Sequence, residues 1–595
     1  MQLHSAACSG KWRASRRRTT AVDRTISHVR RPQPSGRWTM KTARFFALAF
    51  IGLVVLAALF LYLSPRADRA EHEGAEQAIY GPGEFPIADS RVELEVLIAS
   101  ESTKEELEKN QFTSYVEQKL GIKFNFVTTS PSTIDEAEDV LFASGDYPPI
   151  ILSGSLTTDE QVRYGKRGIL RPLNALIDQY GDRLHEIFQQ RPDLRQSLTA
   201  PDGNLYALPA INECFHCWYA QKLWINTSWL DRLDLQMPKT TDELYQVLQA
   251  FKQKDPNGNG LQDEIPLSGA VNSWHSEITG FLMSAFIYNT DTNYFYINNG
   301  RVGLAAVQPQ WRDGLAYIHQ LYSEGLIDPQ VFTQSIDGLI ETATRQDDVL
   351  GAITIGHIRM AFNNGNNTRQ SAYEAVPPLI GPDGYQAAGF FSSFDRSTFA
   401  ITDKATETEA AAAMRLADFL LTEEATVRNE WGMEGRWWRK GKPGEFDEHG
   451  RPAKYWLEPE FAQSDTRNEV WAQMGLLYRD RNLRESWAVS PDPYSIVGYE
   501  HRLYQETRNK YEGKEPAEVY PDYIFMEMAE AQEAARLKIP IDDYIRSNMV
   551  QFITGVKNTS ADWEKYVEGL KKLKLDRYLE LHQNAYDSYR QMQKP

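Results

Sequence analysis

The sequence has 595 residues, of which 42% are hydrophobic and 24% are charged; this length suits about two to four domains or one large two-lobed body. The 81 acidic and 64 basic residues give a net charge of −17. Residues 1–44 form a basic N-terminal extension with eleven basic residues and one acidic residue, so the remaining 551 residues carry −27. A body this acidic repels phosphate backbones, which argues against nucleic-acid binding. Three cysteines are too few for a disulfide-rich small scaffold.

An uncharged apolar run of nineteen residues, Phe45–Leu63, follows the basic extension. Lys41 and Arg44 precede it and an acidic region follows, which is the charge pattern of an exported protein whose body lies outside the cytoplasm. The run is long for a signal-peptide core and close to the length that spans a bilayer. A cleaved signal peptide and an uncleaved membrane anchor are therefore both open. Met40 is an alternative start, in which case residues 1–39 would not be translated.

After the apolar run, the polar residues 64–90 contain several glycines and prolines, which predicts a linker. Val92–Ala99 and Ile122–Val127 have the pattern of strands, and Lys104–Leu120 between them has the pattern of a helix closed by glycine. Strand, helix and strand at this spacing predict an α/β unit with a parallel sheet. Further predicted elements are a strand at Ile150–Leu152 and helices at Thr241–Lys254, Gln310–Glu324, Glu407–Leu421 and Trp563–Lys572.

Two of the three cysteines form a CFHC motif, Cys214 to Cys217. In an oxidising compartment a local disulfide is the simplest expectation. A redox motif would need a helix N-terminus that lowers the pKa of one thiol, and a zinc site would need two further ligands. We therefore expect a structural role for this pair.

A candidate calcium loop, Asp255–Pro266, follows the predicted helix Thr241–Lys254 directly. Oxygen-bearing side chains at loop positions 1, 3 and 5, with glycines at positions 4 and 6, begin a loop of the EF-hand type. Position 12 is proline instead of glutamate and a strand-like exit replaces the second helix, so we expect a structural site and no switch. A solvated Asn-Gly turn is the alternative. The expected ligands are Asp255, Asn257, Asn259, the Leu261 carbonyl, Asp263 and Glu264.

The sequence contains no HExxH, GxxxxGK[ST], GxSxG or GxGxxG motif, the local signatures of several enzyme and nucleotide-binding classes. Aromatic residues stand instead in polar, glycine-flanked stretches such as GMEGRWWRKGKPG. An aromatic ring can stack on the C–H face of a pyranose while planar polar side chains bind the hydroxyls; packing between lobes is the alternative. The predicted stacking residues are Trp274, Trp437, Trp438 and Phe391, with Glu434, Arg436 and Arg396 as polar partners.

Several longer segments carry a more specific pattern, from about residue 90 to the C-terminus. They are DGNLYALP at 202–209, INTSWLDRLDLQMPKTTDELYQVLQAFKQKDPNGNGLQDEIPLSG at 225–269, LYSEGLIDPQVF at 321–332, PPLIGPDG at 377–384, GMEGRWW at 432–438, and FITG, WEKYV and QNAYDSY near the C-terminus. With these segments the sequence resembles the extracellular solute-binding proteins of carbohydrate ABC transporters, in the subgroup that includes the alginate-oligosaccharide-binding proteins.

The resemblance implies an α/β fold with two lobes, the type II periplasmic-binding-protein fold, with a hinge and an interlobe cleft. On this fold we expect residues 91–210 to form the first part of lobe 1 and residues 211–385 to form lobe 2, including the calcium loop 255–264. Residues 386–595 would supply the remainder of both lobes and the C-terminal helices. The resemblance also implies a bound structural Ca²⁺ on the ligands named above.

The implied function is the capture of an oligosaccharide between the lobes and its delivery to an ABC permease, without catalysis. We expect the sugar, the permease subunits and, through the N-terminal apolar segment, the membrane as partners. The protein would act as a monomer in the periplasm or on the outer face of the cytoplasmic membrane. One alternative is an anchored sugar sensor. The other is a polysaccharide-degrading enzyme on the same scaffold, which would need two carboxylates about 5–10 Å apart across a cleft.

Overall fold

The computed structural model describes residues 77–362, 367–391, 397–463, 466, 468–472, 474–495 and 497–592. The described residues from Ala78 onward belong to one compact unit. The basic extension 1–44 and the apolar run 45–63 lie outside the described residues. Within the described part of the chain, no helix combines the length and the apolar character needed to cross a membrane.

Strands and helices alternate along the described residues. The strands are β1 (Val92–Ala99), β2 (Ile122–Thr129), β3 (Ile150–Ser153), β4 (Ala207–Leu208), β5 (Ile211–Asn212), β6 (Leu223–Asn226), β7 (Ile265–Ser268), β8 (Phe295–Asn298), β9 (Arg301–Leu304), β10 (Leu350–Thr354), β11 (Tyr373–Ala375), β12 (Phe399–Ile401), β13 (Trp438–Lys440), β14 (Tyr455–Leu457) and β15 (Tyr478–Arg479). The α-helices span Lys104–Lys109, Gln111–Leu120, Ile134–Ser144, Thr158–Lys166, Asn174–Tyr180, Asp182–Gln190, Pro192–Ser197, Thr227–Arg232, Thr241–Gln253, Ile278–Met283, Pro309–Ser323, Ile336–Ala343, Asn367–Gln370, Glu407–Leu420, Glu423–Trp431, Arg481–Arg484, Tyr499–Lys510, Met528–Ile553, Trp563–Lys572 and Leu575–Met592. Short 3-10 helices span Ala305–Val307, Pro329–Phe332, Ile358–Met360 and Pro459–Gln463.

The first lobe is built on a sheet with the strand order β2-β1-β3-β12-β4. β1 pairs in parallel with β2 and β3, and β12 pairs antiparallel with β3 and β4. Parallel neighbours need a crossover connection, which the helices between β1, β2 and β3 supply. The first half of β1 alternates buried and exposed residues, and its second half is buried throughout. The predicted strands and the parallel sheet are thus confirmed.

The second lobe is built on a sheet with the strand order β11-β6-β10-β7. β7 pairs in parallel with β10, whereas β6 pairs antiparallel with β10 and β11. The chain therefore leaves the first sheet after β4, enters the second at β6, and returns to the first at β12. Such returns between two sheets are what place residues from distant parts of the sequence along one interlobe cleft.

Each lobe has its own hydrophobic core. In the first lobe the fully buried Trp471 packs edge-on against Phe112, with ring centroids 5.0 Å apart. In the second lobe Trp229 packs edge-on against Phe251 at 5.1 Å, and this core also includes Tyr499 and residues of the C-terminal helices. Because neither core depends on the other, the two lobes can change their relative orientation without repacking their interiors.

The helical pattern predicted for Lys104–Leu120 is interrupted in the structure. The Asn110 side chain accepts hydrogen bonds from the backbone N–H groups of Phe112 and Thr113, over 2.8 and 3.2 Å, and so caps a second helix that begins at Gln111. Capping by asparagine competes with continuation of the preceding helix. The prediction of one helix was therefore wrong. The four later predicted helices are confirmed, with ends that differ by at most one residue.

The predicted linker 64–90 extends too far toward the C-terminus. Ile87 is fully buried and donates its backbone N–H to the carbonyl of Leu120 over 2.9 Å. Arg415 donates to the backbone carbonyl of Glu84 over 2.7 Å. The glycines and prolines of this stretch indicated irregular structure correctly, but its last residues are fixed against the first lobe by these contacts.

Candidate functional site

The ion pair between Arg484 and Glu500 joins the first lobe to the second. Arg484, the last residue of the helix Arg481–Arg484, lies with Nη2 2.8 Å from Oε2 of Glu500. Glu500 stands in the first turn of the helix Tyr499–Lys510, whose apolar residues belong to the second core. Arg484 also donates to the side-chain oxygen of Asn212 over 2.8 Å. The pair therefore marks a place where both lobes meet.

The carboxylate of Glu500 is both ionised and accessible. Its side chain is 54% exposed, whereas the side chain of His216, whose Nε2 lies 3.3 Å away, is only 4% exposed. Partial burial opposes ionisation, but His216, Arg484 and Arg479 together lower the pKa of Glu500 well below its usual value. An ionised carboxylate that solvent can reach can also accept hydrogen bonds from the hydroxyl groups of a ligand.

Trp274, one of the predicted stacking residues, lies on the second-lobe side of this ion pair. Its ring covers Gly356, where an added Cβ would lie 2.0 Å from the ring, and its centroid is 5.9 Å from that of the His357 ring. The hydroxyl of Tyr499 lies within hydrogen-bond distance of Nδ1 of His357, at 3.0 Å. Because Tyr499 directly precedes Glu500, a continuous set of contacts leads from Trp274 to the ion pair.

Phe391, a second predicted stacking residue, reaches Trp274 through an intervening histidine. The ring centroid of His275 is 4.2 Å from that of Phe391 and 4.9 Å from that of Trp274. His275 is fixed by a 2.8 Å contact between its Nδ1 and the carboxylate of Asp291. Phe391 is only 8% exposed, so it is buried against His275 and leaves little of its ring available to a ligand.

On the first-lobe side, three aromatic rings form a continuous group that we call the aromatic wall, consisting of Trp431, Trp487 and Tyr455. The ring centroids of Trp431 and Trp487 are 5.3 Å apart, and those of Trp487 and Tyr455 are 5.0 Å apart. The guanidinium of Arg479 lies 6.0 Å from the Trp431 ring and pairs with Glu430 at 2.5 Å. Both tryptophans are half-buried, so their rings are partly available to a ligand.

Three of the predicted site residues lie close together in the loop before β13. The indole N–H of Trp437 donates to Glu469 over 2.5 Å, and Arg436 pairs with the same carboxylate at 3.0 Å. The Arg436 guanidinium also stacks 4.7 Å from the Trp437 ring. Glu434 is exposed. The partner of Trp437 and Arg436 is thus Glu469, another residue of the first lobe.

Trp438 connects this loop to the aromatic wall. Its indole N–H donates to the carbonyl of Gly432 over 2.8 Å, and its ring packs edge-on against Tyr455 at 5.4 Å. Arg396, the remaining predicted polar partner, lies outside the described residues. The structure therefore brings Trp274 and Phe391 together in one lobe and the loop residues together in the other.

Sequence reasoning missed the residues at the centre of this site. No local pattern singles them out, because each stands in an ordinary helix, strand or turn and the partner that it contacts in the site lies far along the chain. The only early signal was the uneven placement of the tryptophans: none occurs between residues 39 and 217, whereas twelve lie from Trp218 to Trp563. The missed residues are His216, His357, Trp431, Arg479, Arg484, Trp487, Tyr499 and Glu500.

The candidate calcium loop is organised by its first residue. Oδ1 of Asp255 accepts the backbone N–H groups of Gly258 and Asn259 over 2.7 and 3.0 Å, and Oδ2 accepts that of Gly260 over 2.8 Å. Gly258 and Gly260 have φ angles of 74° and 76°, a region that favours glycine. The Asn259 side chain accepts the N–H of Leu261 over 2.7 Å. The backbone is thus wound tightly around the carboxylate of Asp255.

The end of the loop gathers carboxylates whose charge is only partly offset, by Arg345, which lies 3.8 Å from Asp263. Asp263 accepts hydrogen bonds from the amides of Asn257 and Asn259, over 3.3 and 3.0 Å. Both carboxylate oxygens of Glu264 are buried without a hydrogen-bond partner, and burial, followed by the charges of Asp263 and Asp255, raises the pKa of Glu264. A cation bound between these carboxylates would offset both their repulsion and the cost of burying Glu264. The oxygen-rich donor set therefore fits Ca²⁺.

The CFHC motif forms the expected local disulfide, Cys214–Cys217. The bonded turn stands between β5 and β6, where the chain passes from one lobe to the other, and it includes His216. The buried Lys222 donates to the carbonyl of His216 over 3.1 Å, and burial lowers the pKa of Lys222 to about 7. The disulfide and this lysine together hold the turn that presents His216 to Glu500.

Comparison with known proteins agrees with this architecture. A model of the family described as bacterial extracellular solute-binding protein matches residues 99–427, more than half of the chain. The fructooligosaccharide ABC transporter substrate-binding protein FusA of Streptococcus pneumoniae is 26% identical over 517 residues, which cover 85% of this chain and 92% of FusA.

Solved structures of FusA superpose on the same region. FusA in complex with kestose has a TM-score of 0.70 at 26% identity and covers 84% of this chain and 99% of FusA. An EF-hand mutant of FusA in complex with fructo-nystose gives the same TM-score at 25% identity and the same coverage. The α/β, two-lobed fold of the solute-binding type is thereby confirmed. The chain belongs to the family of bacterial extracellular solute-binding proteins.

Proposed function

We propose that this protein captures an oligosaccharide between its lobes outside the cytoplasm and delivers it to an ABC permease. The observation that carries the proposal is the ion pair between Arg484 of the first lobe and Glu500 of the second. Half-buried tryptophans stand on both sides of it, Trp274 in the second lobe and Trp487 in the first. A ligand bound at this point would contact both lobes at once. The substrate-binding role named for FusA supports the same function.

The chemistry of the site suits a sugar. Aromatic rings offer faces for the C–H groups of a sugar ring, and planar charged groups offer paired hydrogen bonds to its hydroxyls. Glu500 supplies acceptors and Arg484 supplies donors at the centre of the site, with Trp274 and the aromatic wall around them. Trp438, which contacts the wall, and its neighbours Trp437, Arg436 and Glu434 remain candidates for an outer part of the same site.

We infer that the protein binds its sugar without chemical conversion. A glycosidase needs a carboxyl group whose pKa is raised so that it can donate a proton. The pKa of Glu500 is instead held well below its usual value by neighbouring positive groups. Glu500 is therefore not the proton donor that a glycosidase requires, and as an ionised carboxylate it can accept hydrogen bonds from sugar hydroxyls.

Closure of the lobes would couple sugar binding to transport. A ligand that contacts both lobes favours the conformation in which they are close together, because only that conformation makes both sets of contacts. The permease would then recognise the closed form. We propose that the protein acts as a monomer and that the apolar segment 45–63 directs export, either as a cleaved signal or as an anchor.

We propose that the loop 255–264 holds a structural Ca²⁺. When bound, the ion would supply the positive charge that the buried carboxylate of Glu264 lacks. This chain's own contribution is the tight winding of the loop about Asp255, which gathers the oxygens before any ion arrives. The expected ligands are Asp255, Asn257, Asn259, the Leu261 carbonyl, Asp263 and Glu264.

The proposed sugar site is tested by thermal unfolding of the full-length protein with kestose and with a panel of neutral and uronate oligosaccharides. A ligand present at a thousand times its Kd adds about 4 kcal/mol to the free energy of unfolding. We expect a rise in Tm with one class of sugar and recovery of that sugar intact. Cleavage of the sugar would point to the enzyme alternative, and no shift with any sugar would contradict the carbohydrate assignment.

Two variants test whether the sugar binds at the ion pair between Arg484 and Glu500. Glu500→Gln and Trp274→Ala should each weaken sugar binding at least tenfold, because each removes a central contact. Glu568→Gln is the control for the glutamate, since Glu568 is 63% exposed on a C-terminal helix. Trp456→Ala is the control for the tryptophan, since Trp456 is half-buried and, next to Tyr455 on β14, points to the opposite face of that strand. Both controls should keep the parent affinity. Unchanged affinity in both test variants would show that the sugar does not bind at Glu500.

A further inference from the structure

A second groove, with a volume of about 720 Å³, lies on the second lobe. Its walls come from the hairpin β8–β9, the start of the helix Pro309–Ser323 and the loop around Asp383. None of the central residues of the interlobe site lines it. A groove of this size is large enough for a small ligand or several sugar rings.

Tyr296 lines one side of the groove, and its ring packs against the neighbouring strand of its own hairpin. Tyr296 on β8 stands directly opposite Gly303 on β9. A Cβ added at Gly303 would lie 2.4 Å from Cζ of Tyr296, so the ring lies directly over the glycine backbone. One face of the ring is therefore packed against the hairpin. The side chain is half-buried, and its exposed part lines the groove.

A second aromatic residue, Tyr385, lines the groove from the loop on the opposite side. Its side chain is 38% exposed, although it carries a large apolar ring. The loop is fixed by a 2.8 Å hydrogen bond from the Gly381 N–H to the Tyr385 carbonyl. At Gly381 an added Cβ would lie 1.9 Å from the carbonyl oxygen of Ala285, so this position has room only for glycine. Tyr385 is thus presented to solvent by a loop packed closely on the lobe.

The polar lining of the groove consists mainly of amide groups. Gln308 and Gln310 lie at the start of the helix and Asp383 lies in the loop, and the last two are exposed. Asp383 is the one charged residue among the described residues that line the groove. A single negative charge disfavours uronates and phosphates, whereas amides and a carboxylate bind the hydroxyls of neutral sugars well.

We propose that this groove is a second carbohydrate-binding site, which takes neutral oligosaccharide chains between Tyr296 and Tyr385. The two rings supply stacking faces, and the glutamines and Asp383 supply hydrogen bonds. The groove therefore offers the same types of contact to a sugar as the proposed site at the ion pair. Tyr288, which also lines the groove, donates its hydroxyl to the carbonyl of Phe390 over 3.3 Å. Phe390 directly precedes Phe391, so the groove lies next to the interlobe site and could hold more of a long chain close to it.

Hydroxyl-radical footprinting of the full-length protein tests this site. Protection of tyrosine rings is compared without sugar and with about 10 mM xylo-, malto-, cello- or fructo-oligosaccharides. We expect one of these sugars to reduce oxidation of Tyr296 and Tyr385 several-fold. The protection should persist in the Glu500→Gln/Trp274→Ala double variant, since the groove does not use those residues. Tyr245, on the helix Thr241–Gln253 outside the groove, is the internal control and should be unchanged.

Variants of the groove give an independent readout. Tyr385→Ala should abolish the protection of Tyr296, and Gly303→Ala should weaken it by displacing the Tyr296 ring, while kestose binding at the interlobe site is kept. Sugar protection of Trp274 with none at Tyr296 or Tyr385 would overturn the inference and leave the proposed function standing. Protection at the groove alone would support the inference and count against the interlobe site, and protection at neither place would overturn both.

Discussion

At the scale of single residues, two buried histidines are held in the neutral form. His357 contacts the Tyr499 hydroxyl through Nδ1 and lies near the positively charged Arg359. His582 contacts the Tyr520 hydroxyl at 2.7 Å through Nδ1, and its Nε2 is buried without a partner. Burial lowers the pKa of each imidazole to about 3. Protonation of either ring in the folded protein would place an uncompensated charge in the interior.

Acidification should therefore destabilise the protein through these two residues. An exposed histidine in the unfolded chain takes up a proton near pH 6.5, whereas the buried rings do so only near pH 3. The unfolded state binds more protons between these values, so stability is fully present above about pH 6.5 and is lost as the pH falls toward 3. Each histidine contributes about 1.4 kcal/mol per pH unit.

Urea unfolding of the sugar-free protein at pH 7 and pH 5 measures this effect. We expect the difference in the free energy of unfolding between the two pH values to shrink in His582→Gln, which cannot be protonated. His185→Gln, which removes a histidine whose side chain is 36% exposed, serves as the matched control. An equal pH dependence in the parent and His582→Gln would contradict the assignment of this loss to the buried ring.

At the scale of elements, a helix and a strand frame the calcium loop. The helix Thr241–Gln253 begins with a capping box between Thr240 and Glu243, a local signal that the sequence shows directly. The loop then leads into β7, and beyond β7 the chain reaches Trp274. An ion in the loop would therefore stiffen the segment that carries one wall of the proposed sugar site.

Removal of calcium should lower the stability of the protein. At a calcium concentration one hundred times its Kd, binding adds about 2.7 kcal/mol to the free energy of unfolding. Calorimetry with calcium and with excess EDTA should show a higher Tm with calcium in the parent. Glu264→Gln should lose this difference because it removes a charged ligand, while Gln262→Ala, in the same loop but outside the proposed ligand set, should keep it. An equal Tm of the parent protein with calcium and with EDTA would exclude a stabilising calcium ion.

At the scale of the whole molecule, the two lobes are separate packing units joined at a charged contact. The chain enters the second sheet at β6 and returns to the first at β12, and Arg484 and Glu500 meet across the two lobes. Because each lobe keeps its own core, a ligand can draw the lobes together at the cost of few internal contacts. The proposed mechanism needs this independence.

Hydrogen exchange can show whether one sugar engages both lobes. A ligand identified by thermal shift should slow exchange several-fold in peptides around Trp274 and His357 of the second lobe and around Trp431 and Trp487 of the first. Peptides of the helix Trp563–Lys572, whose buried residues pack in the second core, should be unaffected and act as the control. Slowing confined to one lobe would contradict closure around the ligand.

The sequence alone determined the features whose physics is local. The strands β1 and β2, the capped helix before the candidate calcium loop and the loop's tight turns all lie within short segments, where residue type and spacing decide the structure. The disulfide of CFHC is of the same kind, since its cysteines are three positions apart. Even local patterns can mislead: the residues 104–120 have the pattern of one helix, but the side chain of Asn110 caps a second helix and so divides the segment in two.

Only the tertiary structure decided which residues meet between the lobes. His216 and Glu500 are 284 positions apart, and His357 and Tyr499 are 142 apart. Their identities carry no local signal, because a buried histidine or a helical glutamate is common in any domain. They form a candidate site only because the chain passes between two sheets and folds two cores against one another. This arrangement places a carboxylate, an arginine and several tryptophans around one point.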